Sequence, residues 1–424
     1  MIPPITVVYA PLIMIQIYLC ATLFLYAAGP VSFQRINPEL VVVLVLVYIF
    51  SFSIGYLMAA WIRLRKPIEF LNNNGSKVSS LLLPLAAVYA LFSLYTYVPG
   101  FTITSYFFIL RWAVTDPLGA YQVALNNVGS PMSNYLIVIL YPLYFYAIVR
   151  SLLSFSFLRI DQRVLLCAVL FLELSRWVMM GRNKGVFDIL FIIGTVLLVK
   201  WVAGPWSENK LFVIKKRTFW VGTTLVAALL LVLNYFSNSI ASRKAFIEDY
   251  KGYESNILVQ IAPKSLTPLV VNITDYLGQG YHSLSHVFDM NWLPLYGVGH
   301  SPVLMANLGE YFGVAFEQSY QHRMSYFGID PYVNWHSAFL WLANDLHWAG
   351  VSIFMMLFGF YFFCVYFDSI MYANTVSCCI LALQVISIFY LPANVQIFTQ
   401  TATLFSFYIF FFYDMARKAR FGVT

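Results

Sequence analysis

Leu40 to Lys66 reads LVVVLVLVYIFSFSIGYLMAAWIRLRK. Residues 40 to 62 carry no charge, and a helix rising about 1.5 Å per residue needs roughly twenty apolar residues to cross ~30 Å of hydrocarbon. The stretch is therefore read as a membrane span. Its far end carries Arg63, Arg65 and Lys66, and an excess of Lys and Arg in a short connector marks the cytoplasmic side.

Working outward, stretches of the same kind recur near 5–28, 78–98, 134–153, 164–180, 186–203, 218–237, 338–365, 376–395 and 397–413, which with 39–61 makes ten. Basic connectors fall after the second, fourth, sixth and tenth spans: Arg63, Arg65, Lys66 and Lys77; Arg150, Arg159 and Arg163; Lys200, Lys210, Lys215, Lys216 and Arg217; and Arg417, Lys418 and Arg420; the connector 366–375 after the eighth carries only Asp368. That alternation agrees with an even number of spans and both termini inside. The expected fold is an all-α polytopic membrane protein of about ten transmembrane helices, one domain over 1–424. A large periplasmic loop, 238–337, lies between the seventh and eighth helices. Composition agrees: 61% of residues are hydrophobic and 10% charged, against about a quarter charged in soluble domains. Aromatics at 18% suit a chain with many helix ends at headgroup level. The start MIPPITVVYAPLIM lacks the charged region and cleavage site of a secretory signal, so 5–28 is read as a retained first helix.

The net charge of +7 does not by itself call for nucleic acid. Cys20, Cys167, Cys364, Cys378 and Cys379 sit in apolar segments without metal-type spacing. No phosphate-binding Gly-rich loop, dinucleotide fingerprint or serine elbow is present, so ATP-driven transport, redox chemistry and hydrolase chemistry have no support. What stands out is positive charge where the membrane disfavours it. Gly181-Arg182-Asn183-Lys184-Gly185 reads as a five-residue turn between two spans, where two cations and a helix N-terminus could hold phosphate oxygens. Snorkelling to the interface is the structural alternative. Glu173 and Arg176, three residues apart inside the fifth span, share one helix face and are either a self-neutralising pair or a substrate contact. Arg111, Arg243, Lys244 and Arg323 are further outer-side cations.

All six histidines lie between 282 and 347. His336, in Asn334-Trp335-His336-Ser337, stands at a bilayer boundary, where a neutral imidazole could accept a proton or a hydrogen bond from a sugar hydroxyl. His282 and His286 have the i, i+4 spacing of two zinc ligands, but no third ligand pattern completes a site. Gly278-Gln279-Gly280 and Gly297-Val298-Gly299 read as tight turns. Pro302 to Phe312 reads as helical.

Three segments resemble the bacterial O-antigen polymerases (Wzy) and O-antigen ligases (WaaL). GRNKGVFDILFIIG, from Gly181, is similar to the family's Ser/Gly-Arg-x-Gly helix opening. Pro294-Leu295-Tyr296-Gly297-Val298-Gly299 is similar to Pro-Leu-x-Gly-x-Gly of its periplasmic loop. His336-Ser337-Ala338-Phe339-Leu340, followed by Asp345-Leu346-His347-Trp348-Ala349-Gly350, looks like His-Asn-x-x-Leu and Leu-Gly-x-x-Gly. Ser337 stands for the usual Asn and His347 for the first Gly.

The resemblance implies a metal-independent glycosyltransferase without cofactor, in the bacterial inner membrane with its site facing the periplasm. It would move a growing glycan from undecaprenyl pyrophosphate to the non-reducing end of a lipid-linked repeat unit. It implies catalytic roles for His336 and Arg182, with Lys184, Arg243, Arg323, Tyr281 and Arg176 as substrate-binding residues, and a flippase and a chain-length regulator as partners. Ligases carry an arginine upstream of Gly-x-Gly, where this chain has Tyr276 to His282 without one. That favours a polymerase over a ligase; a transporter of lipid-linked oligosaccharide is the alternative outside the family. Should His336 prove dispensable, Glu310, Asp330 and Asp345 come next.

Overall fold

Apolar length becomes helix throughout the chain. A computed structural model describes residues 4–33, 36–65, 81–98, 100–126, 129–203, 233, 235 and 252–420. Its principal helices are α1 (Ile5–Ala28), α2 (Pro38–Arg65), α3 (Leu82–Tyr97), α4 (Tyr106–Thr115), α5 (Pro117–Asn126), α6 (Pro131–Leu153), α7 (Ile160–Met179), α8 (Lys184–Ala203), α9 (Thr267–Ser285), α10 (Ala338–Tyr372), α11 (Thr375–Tyr390) and α12 (Thr401–Arg420). The expected spans fall on these helices, except 218–237, of which only 233 and 235 are described; Arg243 and Lys244 lie outside the described residues.

Among the described residues five helices, α1, α2, α6, α8 and α10, are long and apolar enough to cross a membrane, and α3, α4 and α11 are shorter apolar helices. The exposed side chains of α1 and α2 are themselves apolar, including Ile13, Ile17, Phe24, Val43, Phe50 and Trp61, as contact with lipid tails demands. The protein is a polytopic, all-helical membrane protein. Of the remaining expected crossings, α7 and α12 have the length but carry charge: Asp161, Arg163, Glu173 and Arg176 on the first, Asp414, Arg417, Lys418 and Arg420 on the second.

Contacts group the chain into two units, one of Met1–Ile68, Phe246–Phe367 and Gln384–Thr401, the other of Glu69–Ala245, Asp368–Leu383 and Ala402–Thr424. In the first, α1 packs on α2 and α9. Helices α2 and α10 meet at small residues: a Cβ on Gly55 would lie 1.7 Å from the Met356 carbonyl oxygen, and one on Gly359 would lie 2.1 Å from that of Phe52. Small residues let helix backbones approach where no water drives them together. Around this contact Phe52, Tyr56, Phe358, Phe362 and Phe363 form a ring cluster, and the Tyr56 hydroxyl donates to the Val8 carbonyl at 2.7 Å.

Gly278 and Gly280 are not in a turn, as their composition suggested, but inside α9. Close approach is the reason. A Cβ on Gly278 would meet the Phe33 ring at 2.7 Å, and one on Gly280 the Pro392 carbonyl at 2.0 Å and the Ser337 nitrogen at 2.7 Å.

In the second unit α3 packs on α6 and α7, and α4 and α8 on α7. Tyr89 and Tyr144 stack at 4.5 Å, and the Tyr106 hydroxyl donates to Ser175 Oγ at 2.7 Å. Buried Asp368 and Asp414 neutralise Arg417 and Lys418: Arg417 reaches Asp414 at 2.8 Å, and Lys418 reaches Asp414 at 2.7 Å and Asp368 at 3.1 Å. These two cations, read as part of a basic connector, are half-buried and paired.

Candidate functional site

The second unit holds the arginine turn. Helix α7 closes with the Gly181 N–H donating to the Val178 carbonyl at 2.8 Å and the Arg182 N–H to that of Trp177 at 3.0 Å, the paired bonds of a Schellman cap. Gly181 adopts φ +60°, left-handed backbone that glycine enters without steric cost. The turn is shorter than expected, because Lys184 and Gly185 already belong to α8.

Local spacing then neutralises two of the three cations. Arg176 is paired with Glu173 through two nitrogens, Nε at 3.1 Å and Nη2, and the Trp177 indole N–H donates to the same carboxylate at 2.9 Å. Lys184 pairs with Asp188, one turn along α8. The Arg182 side chain has no carboxylate or hydrogen-bond partner among the described residues. It is half-buried, and burial pulls its pKa below the usual arginine value, with Tyr121 and Tyr97 opposing and Arg176 adding to the fall. An arginine stays charged under such shifts, so Arg182 presents an unmatched, partly dehydrated guanidinium.

The first unit holds the histidines. His336 is 2% exposed, and neither ring nitrogen has a hydrogen-bond partner. Burial pulls its pKa down to about 4, against smaller opposing effects of the Pro331 backbone and Asp330. It is therefore neutral near pH 7 and shielded from solvent. The strand of chain around it is pinned, since Trp335 N–H donates to Gln279 Oε1 at 2.9 Å and the Ser283 hydroxyl to the Trp335 carbonyl at 2.9 Å. Tyr281 is fully buried, its hydroxyl 3.1 Å from Thr22 Oγ1 of α1, a packing position. His282 and His286 sit edge to face on α9 at 4.7 Å. Among the described residues no group of three His, Cys, Asp or Glu side chains gathers that could hold a metal ion.

Sequence reasoning missed the most organised constellation. The turn from Pro294 to His300 folds onto the first turns of α10. Tyr296 and Gly297 are both left-handed, φ 48° and 87°, and their amides and those that follow converge on one carboxylate. Gly297 and Gly299 N–H donate to Asp345 Oδ1, each at 2.9 Å, and His300 N–H donates to Oδ2 at 2.8 Å. The His300 ring closes the set, with Nδ1 3.0 Å from Oδ2. A Cβ on Gly299 would meet that of Asn344 at 2.7 Å. Asn344 itself is buried and ties three segments: its Nδ2 donates to the Gly299 carbonyl at 3.0 Å and Gln321 Oε1 at 2.9 Å, and its Oδ1 accepts the Tyr320 N–H at 3.0 Å. Its carbonyl accepts the Leu295 N–H at 3.3 Å and the Trp292 indole N–H at 3.1 Å. Helix α10 is broken just beyond, at His347 with φ 56° and ψ 174°.

Arg323 hangs from the same framework. Its Nη1 donates to the Asn291 carbonyl at 2.9 Å and its guanidinium lies 4.9 Å from the Tyr320 ring centre, while Nε and Nη2 are buried without partner. Burial lowers its pKa, with Tyr320 opposing. The sequence showed the parts of this arrangement, the tight turn at Gly297-Val298-Gly299 and an acid, Asp345, near the start of a span, but not that they meet. The chain matches no protein-family model, no curated protein and no solved structure.

Proposed function

We propose that this protein polymerises lipid-linked oligosaccharide at the periplasmic face of a bacterial inner membrane, transferring a glycan from undecaprenyl pyrophosphate to a lipid-linked repeat unit. The observation that carries the reading is Arg182. Between two cations that are each matched by a carboxylate three or four residues away, it keeps an unmatched guanidinium at the junction of two membrane helices, the fitting partner for a lipid pyrophosphate. Stabilising the leaving pyrophosphate by pre-placed donors is the main task of such a transfer. The motifs at 294–299 and 336–350 supply the sugar-transfer half of the reading, and the missing arginine in 276–282 favours polymerase over ligase.

The test is chain growth in proteoliposomes supplied with undecaprenyl-pyrophosphate-linked repeat units, read as a ladder. Arg182→Ala should lower turnover by on the order of 10²-fold, the usual loss for one donor at a developing charge, with normal folding. Arg182→Lys should recover little, because an ammonium lacks the bidentate fork. A wild-type ladder from Arg182→Ala would remove the pyrophosphate assignment.

A second reading rests on the buried Asp368, Asp414, Arg417 and Lys418 network, since intramembrane charge networks also mark transport pathways. Translocation of labelled lipid-linked repeat unit without chain growth would favour it.

A further inference from the structure

Between α3 and α6 the second unit carries the short helices α4 and α5, and α4 faces two ways. One face packs on α7. Tyr106 and Ala113 are buried there, and the Tyr106 hydroxyl donates to Ser175 Oγ at 2.7 Å, its ring 6.4 Å from that of Phe171. The other face is apolar and open, with Phe107 and Phe108 exposed by 75% and 76%, and Ile103 on the preceding turn by 88%.

Depth follows from the same contacts. Ser175 and Phe171 come about one and two helical turns before α7 ends at Met179. Pro117, just past α4, packs instead on the Gly181 turn, where a Cβ on Gly181 would lie 2.4 Å from the Pro117 carbonyl oxygen. Helix α4 therefore starts beside the apolar part of α7 and climbs to its end. Its ten residues rise about 15 Å, half of what a crossing needs, and an apolar helix face at this depth lies at the boundary of headgroups and acyl chains. The turn before it satisfies its own polar groups, as burial against lipid requires: Ser105 Oγ donates to the Gly100 carbonyl at 3.1 Å and accepts the Thr102 N–H at 2.8 Å.

Arg111 stands in this apolar face, one turn after Phe107 and Phe108. It is exposed, and its guanidinium meets no carboxylate or hydrogen-bond acceptor among the described residues. The nearest acid in sequence, Asp116, caps α5, its Oδ1 accepting the Gly119 N–H at 2.9 Å. An ordinary phospholipid would match an apolar stripe with a cation at headgroup depth. The direct packing of this segment on the Gly181 turn, which presents Arg182, favours the lipid that Arg182 takes. Resting on the transfer reading above, we propose that the open face of α4 is the docking surface for the polyprenyl pyrophosphate substrate. The isoprenoid chain lies along Ile103, Phe107 and Phe108, and the phosphates rest on Arg111 before passing to Arg182.

The test uses the full-length protein in proteoliposomes of phosphatidylethanolamine and phosphatidylglycerol doped with undecaprenyl pyrophosphate. A photoreactive Phe108→benzoylphenylalanine should form adducts of undecaprenyl mass far above that lipid's share of the membrane. Phe50→benzoylphenylalanine, on the exposed face of α2, should capture bulk phospholipid. Arg111→Ala should lower the undecaprenyl adduct at 108 by on the order of tenfold, the worth of one charge-assisted hydrogen bond. Both 108 and 111 are exposed, so neither change removes a packing contact. In chain growth Arg111→Ala should raise KM for the lipid-linked repeat unit by a similar factor and leave kcat unchanged, as loss of uniform binding does. Adducts at 108 in proportion to the bulk lipids, or an undecaprenyl adduct undiminished by Arg111→Ala, would overturn the docking surface and leave the transfer reading intact. Crosslinking needs no turnover, so Arg111-dependent undecaprenyl adducts on a protein that grows no chains would uphold the surface and overturn the transfer reading.

Discussion

The arginine turn at 181–183 with its flanking helix ends and the histidine turn at 294–300 both contain left-handed glycine beside a helix, yet they bind their charges in opposite ways. In the first, each ion pair is local: Arg176 with Glu173 three residues away, Lys184 with Asp188 four residues away. Helical periodicity alone brings such partners together, and what it leaves over is Arg182. In the second, Asp345 meets Gly297, Gly299 and His300 across separations of 45 to 48 residues, so the carboxylate that gathers the loop comes from a distant helix. A turn made by its own helices can present a spare charge to a ligand. A turn made by a distant acid is positioned by it.

The largest effect should come from breaking the local pair. Glu173→Ala leaves the guanidinium of Arg176 buried without its carboxylate and should cost about 3–5 kcal/mol, seen as a large drop in unfolding temperature in detergent. A drop no greater than that of Arg182→Ala would mean that Arg176 finds other compensation, and the contrast between paired and spare cations would fail.

Acid should act next, on the first unit, because every histidine lies in it. Burial holds His336 and His282 at about 4 in the folded state, against about 6.5 when unfolded. The unfolded chain therefore binds more protons between those values, so stability is fully present above pH 6.5 and falls as pH drops toward 4. His336→Gln should flatten that fall. An unfolding temperature independent of pH over this window, in wild type and variant alike, would show that the imidazole is not buried as described.

The smallest effect is the most local. Asp345→Asn keeps the shape but weakens acceptance of three amide N–H groups by about 1–2 kcal/mol, because bonds to a charged acceptor are the stronger kind. Amide exchange at Gly297, Gly299 and His300 should accelerate while exchange across the Gly181 turn stays constant. Unchanged exchange at the three amides would mean that the loop holds its shape without the carboxylate.

Much of this molecule was legible in its residues one stretch at a time. The helices coincide with the apolar spans because burial in lipid requires each segment to satisfy its own backbone hydrogen bonds, a condition written within the segment. The Gly181 cap and the 173/176 pair were likewise within reach, their partners being less than two turns away. Gly278 and Gly280 were misread because glycine has two uses: local sequence advertises conformational freedom, whereas here the close approach of the Phe33 ring and of the Ser337 and Pro392 backbones explains them.

What the sequence determined by itself was the class of protein, the placement of its apolar helices and the 173/176 pair, since each follows from interactions spanning a few residues. Only the tertiary structure decided that His336 is sealed away and that His300 is held by Asp345. Both outcomes depend on which distant segment packs against a side chain, and burial and long-range hydrogen bonds, which set how an imidazole handles its proton, leave no periodic trace along the chain.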